Sequence, residues 1–395
     1  MKVFAPPTLA ELQHLVRQLH GDAAPWLPSG LGSRLDWGPA VTPRSAVVSL
    51  RQINGIREHN PGDFTLTVAA GTPLQDVQAA LAEQQQWLSL DAPWGAAETS
   101  IGGLIARGLA GGYRQRALGV RDQLLGIQLL RSDAVLARAG GKVVKNVAGY
   151  DLMRLLTGSW GSLALITEVT LRTQPQPPQR RVLIIQDERQ TLQTLSRWLR
   201  DSSLSPERLD LWSAPLAAAA GLEAQPLLLL SLASIDATTL EEQIACITER
   251  APGLRVLDEP AATALLAAER GIDQQGAGVP SDWLLRLAVP PAQSCLLLDA
   301  PELKGVPLWL AAGSGIGDAW ASSAELPRYR VEALRHRAQE LGGYVTVLRQ
   351  PTPTPGTDPL PSWLDAPARP LIEAVKRQFD PSQQLARGRL PGVAA

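Results

Sequence analysis

The residue types that usually do redox or hydrolytic chemistry are thinly spread in this chain. Cys246 and Cys295, its two cysteines, are too far apart in sequence for a CxxC redox pair, a disulfide framework or an iron–sulfur cluster. Its four histidines (His14, His20, His59, His336) lack metal-ligand spacing, and none falls between His59 and His336. Glycine is what clusters. In Ser29-Gly30-Leu31-Gly32-Ser33-Arg34, successive backbone N–H groups can form a concave cradle for an anion, since glycine lets the backbone come close. Leu35 stands where a Rossmann fingerprint needs its third glycine, and no Gly-Lys-Ser/Thr follows, so neither dinucleotide pattern is met. A surface turn is the competing reading. Thr99-Ser100-Ile101-Gly102-Gly103, at a helix start, is a second anion candidate through its N–H groups and helix dipole. Close packing through small residues competes with it. Gly313-Ser314-Gly315-Ile316-Gly317 has no helix start after it and reads as a turn.

These loops need elements to hold them. Thr8 and Glu11 form a capping box ahead of Leu9, Leu12, Leu15, Val16 and Leu19, whose spacing predicts a helix ending at Gly21. Strands are expected at Trp26 running into the first glycine loop, at 47–50, and where Phe64, Leu66, Val68 and Ala70 alternate. Thr72-Pro73-Leu74-Gln75 predicts a helix with proline in its first position and a second capping box. Residues 124–131 and 134–139 flank Ser132-Asp133 as a hairpin. Gly140 to Arg172 then carries a tight Asn146-Val147-Ala148-Gly149 bend, a helical run over 151–156, a second corner at Gly158-Ser159-Trp160-Gly161 and a strand over 163–172. Two such corners imply close approach of the backbone to something.

The proline-rich run 174–179 reads as a linker, which places one domain over 1–175. Beyond it the order is strand (182–185), helix (189–200), strand (208–212), strand (227–232), helix (240–250) and strand (254–257). That is a ferredoxin-like split βαβ plate, extended by strands at 283–289, 308–312 and 344–348 and a helix at 331–341, giving a domain over 181–350. Residues 351–361 form a second loop, and 362–395 carry a short helix (371–379) expected to return to the first domain.

A net charge of −1 gives no reason to invoke nucleic acid. The first residues lack an apolar signal region, and the most apolar segment, 214–233, is broken by Pro215, Glu223, Gln225 and Pro226. Cytoplasmic location without direct membrane insertion is the expectation, with peripheral attachment through partners left open.

Gly30 to Ser33, Thr99 to Ala106, Lys145-Asn146-Val147-Ala148-Gly149-Tyr150-Asp151-Leu152 and Gly158 to Leu163 occur in the order found in the vanillyl-alcohol-oxidase (PCMH-type) FAD-binding superfamily. Within it, the chain most resembles the GlcE family, the FAD-binding components of glycolate oxidase/dehydrogenase, over about 69–175 and faintly again at Gln378-Phe379-Asp380-Pro381. The resemblance implies an α+β fold: a PCMH-type FAD-binding domain of two α+β subdomains, plus a ferredoxin-like α+β cap domain. It implies a pyrophosphate loop at Ser29, Gly30, Leu31, Gly32, Ser33 and Arg34. A second FAD segment would fall on Pro93, Ser100, Ile101, Gly102, Gly103, Ala106, Gly108 and Gly112, with Gly161, Ile166 and Arg389 completing the site. Some superfamily members attach flavin through a histidine in the first loop; Ser33 and its neighbours provide none, so non-covalent FAD is expected.

The chain departs from the family in two places. The histidine- and acid-rich metal segment of related hydroxy-acid dehydrogenases is missing before His336, and the tail reads Ala386-Arg387-Gly388-Arg389 where an Asn-Pro-Gly-Arg turn is usual. Oxidising a 2-hydroxy acid needs a base for the hydroxyl proton and clamps for the carboxylate. Tyr150, Lys145, Tyr344 and Arg349 are candidates, each with a more ordinary structural reading. The expectation is therefore an FAD-binding subunit of a glycolate dehydrogenase/oxidase complex, acting with a catalytic flavoprotein subunit and an iron–sulfur subunit. A stand-alone FAD-dependent 2-hydroxy-acid dehydrogenase and a structural subunit with a degenerate flavin site are the alternatives.

Overall fold

The computed structural model describes residues 2–40, 46–90, 97–143, 151–269, 282–353 and 355–394. The chain divides into two compact units, one of residues 1–109, 118–176 and 361–395, the other of 110–117 and 177–360. No helix among the described residues is long and apolar enough to cross a membrane.

The first unit holds two sheets. β1 (Val3–Phe4), β3 (Ala46–Ser49) and β2 (Trp26–Ser29) form a parallel three-stranded sheet in the order β1-β3-β2. The helix Leu9–Gly21 buries Leu12, Val16 and Leu19, and its N-cap Thr8 accepts from the Glu11 amide, as the capping box predicts. β4 (Ile56–Asn60), β5 (Thr65–Ala69), β9 (Leu165–Arg172), β7 (Leu124–Leu130) and β8 (Leu136–Gly140) make an antiparallel sheet in that order. One core runs through both, joining Leu12 and Trp26 to Val68, Leu129 and Val169. The tail enters it too: Leu385 bridges to Trp26, and the Ala386 amide donates to the Trp26 carbonyl at 2.9 Å.

Two local expectations change. The helix Leu74–Ala82 has Pro73 as its N-cap and no side-chain cap, because the Thr72 hydroxyl turns back to the Ala69 carbonyl at 2.7 Å. Part of the supposed linker is a strand, since β10 (Gln174–Pro175) pairs with β6 (Gln86–Trp87).

In the second unit, β11 (Gln179–Gln186), β12 (Arg208–Trp212), β13 (Leu227–Ser234) and β14 (Arg255–Leu257) lie in the order β14-β11-β13-β12, all antiparallel. That is the ferredoxin-like arrangement. β15 (Trp283–Ala288), β16 (Leu308–Ala311), β17 (Ile316–Ala321) and β18 (Tyr344–Arg349) repeat it as β18-β15-β17-β16. The two plates join edge to edge where β12 pairs antiparallel with β16, giving eight continuous strands. What the sequence suggests as an extension is thus a second copy of the same plate. Gly313 to Gly317 spans the β16–β17 turn, with Gly315 at φ +71°.

Alternation decides which side chains meet which layer. Leu209, Leu211, Leu285 and Leu287 face the larger core with the helices Arg189–Asp201, Ala237–Arg250 and Arg328–Glu340. Trp212, Leu227, Leu229 and Trp309 face a smaller core under the helices Ala214–Ala219 and Glu259–Ala268. The second face also carries buried ion pairs. Arg208 bonds Asp210 at 2.8 Å and Glu269 at 2.7 Å, and Arg286 bonds Asp318 at 2.9 Å. The segment 110–117 belongs here: Arg286 donates to the Ala110 carbonyl, and Gln115 to that of Pro206 at 2.9 Å.

Candidate functional site

A cleft opens in the first unit, with about 930 Å³ of unfilled space counted out to its mouth. One wall is the loop leaving β2. Ser29, Gly30, Leu31, Gly32, Ser33 and Arg34 all line the cleft. The backbone N–H groups of Leu31, Gly32 and Ser33 have no hydrogen-bond partner among the described residues. Their carbonyl neighbours are tied down instead: the Gly30 carbonyl accepts from the Ser49 hydroxyl at 2.8 Å and the Leu31 carbonyl from Arg51 at 3.2 Å. Gly32, at φ +87°, supplies the left-handed residue that such an N–H cradle requires. The Ser33 hydroxyl donates to the Glu98 carbonyl at 2.7 Å, so it fixes the loop.

The second wall is the short helix Ile101–Arg107 and its approach. Ser100, Gly102, Gly103 and Ala106 line the cleft. Its first amides are already used, which corrects the expectation of an anion-binding helix start. Ile101 N–H goes to the Thr72 carbonyl at 2.9 Å, Gly102 N–H to that of Ala70 at 2.8 Å, and Gly103 N–H to Ser100 Oγ at 3.1 Å. The glycines serve close packing here. A Cβ on Gly102 would lie 2.7 Å from Ala70 Cβ, and one on Gly30 would lie 2.8 Å from Ser100 Cβ. The two glycine loops touch.

The remaining lining comes from the Gly158–Gly161 corner, from β9 and from the tail. Trp160, at φ 55°, and Gly161, at φ +73°, line the cleft, and the Trp160 amide donates to the Ala106 carbonyl at 2.8 Å. Ile166 lines it from β9 and Arg389 from the tail. Arg389 donates to the carbonyls of Pro39 at 2.8 Å and Leu35 at 2.6 Å. Buried Lys376 fastens these parts, donating to the Ser162 carbonyl at 2.6 Å, the Leu385 carbonyl at 2.9 Å and Asp380 at 2.5 Å.

Three residues from the sequence reading stand elsewhere. Ile101 points into the core and does not line the cleft. Gly108, at φ +63°, caps the helix and lies where a Cβ would be 3.0 Å from Gly158 Cα. Gly112 belongs to the second unit, where a Cβ would come within 2.5 Å of Asp210 Oδ2. Pro93 lies outside the described residues, as do Lys145, Asn146, Val147, Ala148, Gly149 and Tyr150.

Arg107 is the residue that sequence reasoning missed. Its guanidinium sits 3.9 Å from the Trp160 ring centroid and donates to the carbonyls of Arg34 at 2.5 Å and Trp37 at 3.5 Å. Burial first, then the charges of Arg389 and Arg34, push its pKa down to about 9, against a smaller opposing pull from Asp36. Burial likewise brings Arg389 down to about 10. Three arginines thus line the cleft, and Glu98 is the one acidic residue lining it among those described. Such a site favours an anion strongly. Among the described residues no group of three His, Cys, Asp or Glu could hold a metal ion.

Residues 2–140 match the family described as the FAD binding domain. The chain is 37% identical over 162 residues to glycolate oxidase subunit GlcE of Escherichia coli (strain K12), covering 41% of this chain and 46% of that protein. It is 33% identical over 186 residues to D-2-hydroxyglutarate dehydrogenase of Xanthomonas citri pv. viticola, covering 47% and 39%. With glycolate oxidase subunit GlcD of Bacillus subtilis (strain 168) the figures are 31% over 183 residues, 46% and 38%. The matches thus span less than half the length of these relatives. A solved structure of alkyldihydroxyacetonephosphate synthase superposes with a TM-score of 0.71 at 14% identity, covering 98% of this chain and 77% of that one. At that identity the likeness speaks for the fold alone, an α+β architecture.

The cleft fits FAD. Three consecutive unpartnered amides at Leu31–Ser33 beside three arginines suit a diphosphate.

Proposed function

We infer, from the membership of residues 2–140 in the FAD-binding-domain family, that this protein is an FAD-binding subunit of an oxidoreductase acting on small 2-hydroxy acids, with glycolate as the leading substrate. The observation that supports it most is the run of free amides at Leu31–Ser33 in a cleft lined also by three arginines. Ser29 to Arg34, Ser100, Gly102, Gly103, Ala106, Gly161, Ile166 and Arg389 are the residues proposed to hold the cofactor, joined by Arg107. FAD would supply the two-electron acceptor for a 2-hydroxy acid. This chain's residues would bind and orient it and screen it from water. With no histidine in the first loop, the attachment is non-covalent.

The proton-handling group is a different matter. Among the described residues that line the cleft there is no histidine, tyrosine or lysine, and Glu98 is exposed. This supports a subunit that works with a catalytic flavoprotein partner and an iron–sulfur partner in a glycolate dehydrogenase/oxidase complex. Cytoplasmic residence, with any membrane association made through those partners, goes with that reading. The test is to purify the chain alone and with its native partners, assay each for flavin, and follow dye reduction with glycolate and D-lactate. The reading expects denaturant-releasable FAD on this chain, with turnover in the complex only. Turnover by the isolated chain would favour a stand-alone dehydrogenase, and absence of flavin would favour a structural subunit.

A further inference from the structure

A second cavity opens in the first unit and shares no lining residue with the cleft. It lies between the helix Arg369–Phe379 and residues 383–394 of the tail, with about 710 Å³ of unfilled space counted out to its mouth. Its lining is of two kinds: Lys376, Arg377 and Gln383 are polar, whereas Leu390 and Val393 are aliphatic. Lys376 is fully engaged, since its ammonium donates to the Ser162 and Leu385 carbonyls and to Asp380. Glu373, the acid on the lining, is held by Arg369 at 2.8 Å. Exposed Arg377, by contrast, has no hydrogen-bond or ion-pair partner among the described residues, and neither has the Gln383 side-chain amide. Arg387, which donates to the Gln383 carbonyl at 3.0 Å, is a further cation near enough to act on Lys376. With Asp380 matched to Lys376 and Glu373 to Arg369, positive charge is left over. The backbone here is strained as well. Gln383 at φ 52° and Ala386 at φ 42° are left-handed without being glycine, at a cost on the order of 1–3 kcal/mol each, and such residues cluster at ligand clamps. A Cβ on Gly388 would meet nothing within 4 Å, so the space beside it is open.

We propose that this tail cavity is a binding site for a short-chain aliphatic carboxylate, held at its charged end by Arg377 and the Gln383 amide and along its alkyl chain by Leu390 and Val393. An apolar lining with a few convergent polar groups is the usual composition of a small-molecule site. The planar guanidinium of an arginine matches a carboxylate with two parallel bonds. A wholly polar anion would leave the aliphatic lining wet, and a neutral hydrocarbon would leave the arginine without a counter-ion. The site does not depend on the FAD reading and stands or falls apart from it.

The test uses the full-length protein, with and without FAD, and hexanoate, hexanol and inorganic phosphate as probes, read by calorimetry and by ligand-observed saturation-transfer NMR. Hexanoate should bind saturably in both states of the protein, and both hexanol and phosphate should bind about tenfold more weakly or worse. Arg377→Gln, a change at an exposed side chain, should melt as the wild type does and weaken hexanoate about tenfold for the loss of a charge-assisted bond. Leu390→Ala should weaken hexanoate but leave the weak binding of phosphate as it was. Wild-type protein that shows no saturable hexanoate binding at millimolar concentration overturns the proposal, an arm that needs no variant to fold. So does phosphate binding as tight as that of hexanoate, or an Arg377→Gln protein that binds hexanoate within about twofold of wild type. Hexanoate that FAD displaces, or that Arg107→Gln releases, would lie in the first cleft and would overturn it too.

Discussion

Gly30→Ala isolates the geometry of the cleft in one methyl group. The new Cβ would lie 2.8 Å from Ser100 Cβ, with Ser100 Oγ closer still, whereas unstrained carbon contacts sit at roughly 3.5–4.0 Å. The hydroxyl can rotate away only by giving up its bond to the Gly103 amide, now 3.1 Å, a capping loss of about 1 kcal/mol. Rotation does not relieve the Cβ–Cβ contact, so the two loops must separate by about 1 Å, an overpacking cost of about 1–3 kcal/mol. Together these predict a loss of about 2–4 kcal/mol, or a melting temperature lower by roughly 5–15 °C for a unit of this size. Because both loops line the cleft, FAD affinity should fall with stability. The control is Ser100→Gly, which costs only a few tenths of a kcal/mol at a cap position by the usual ranking. Combined with Gly30→Ala it should restore most of the loss. A Gly30→Ala protein with wild-type melting and FAD titration, or a double variant no better than the single, would refute the contact on which this reasoning stands.

Other outcomes follow from the buried charges. Lys376→Met leaves Asp380 buried without its ammonium partner, and urea unfolding should show a loss of about 3–5 kcal/mol; a loss under 1 kcal/mol would mean that the tail is held elsewhere. Burial raises the Asp380 pKa, but the bonds from Lys376 and the Leu385 amide outweigh it and hold the carboxyl below its ordinary value. Such an acid contributes stability above its unfolded pKa of about 3.9 and loses it as pH falls through the lower folded value. The stability gap between wild type and Asp380→Asn should therefore narrow below about pH 4, and a gap constant from pH 3 to 7 would contradict this. In the second unit, Arg286→Met should cost about 3–5 kcal/mol by removing the guanidinium paired with buried Asp318, whereas Arg286→Met with Asp318→Leu should cost clearly less in the same assay.

Strands and helices were legible where period and caps agreed, as in Thr8–Glu11 and in the alternating Leu66, Val68 and Ala70. The doubled plate was not, because β17 follows a glycine turn and its short Ile-Gly-Asp-Ala-Trp-Ala run alternates poorly. Its place is set by pairing with β15 and β16. In the cleft, the glycines of the first loop could be read from type and spacing. How the second loop uses its amides could not, since the acceptors, Thr72 and Ala70, come from a neighbouring turn. Gly112 carries the same kind of signal as Gly102, yet the close approach it allows is to Asp210, a partner about a hundred residues away in the chain. An arginine in a seven-residue helix reads as surface, and only the Trp160 ring and the Arg34 and Trp37 carbonyls reveal Arg107 as part of the lining.

The edge-to-edge joint between the two plates bears on how the second unit assembles. β11 and β13 match eight residue pairs, but β12 and β16 meet through three, Asp210–Ala311, Leu211–Leu310 and Trp212–Trp309. Each plate closes mainly through contacts near in sequence, whereas the joint brings together strands about a hundred residues apart. Loop-closure entropy therefore favours two separate nucleation events, with the joint zipping afterwards. Within the interior of the sheet, that seam should open as a boundary between two cooperative blocks while both remain folded, which hydrogen exchange of its amides would read.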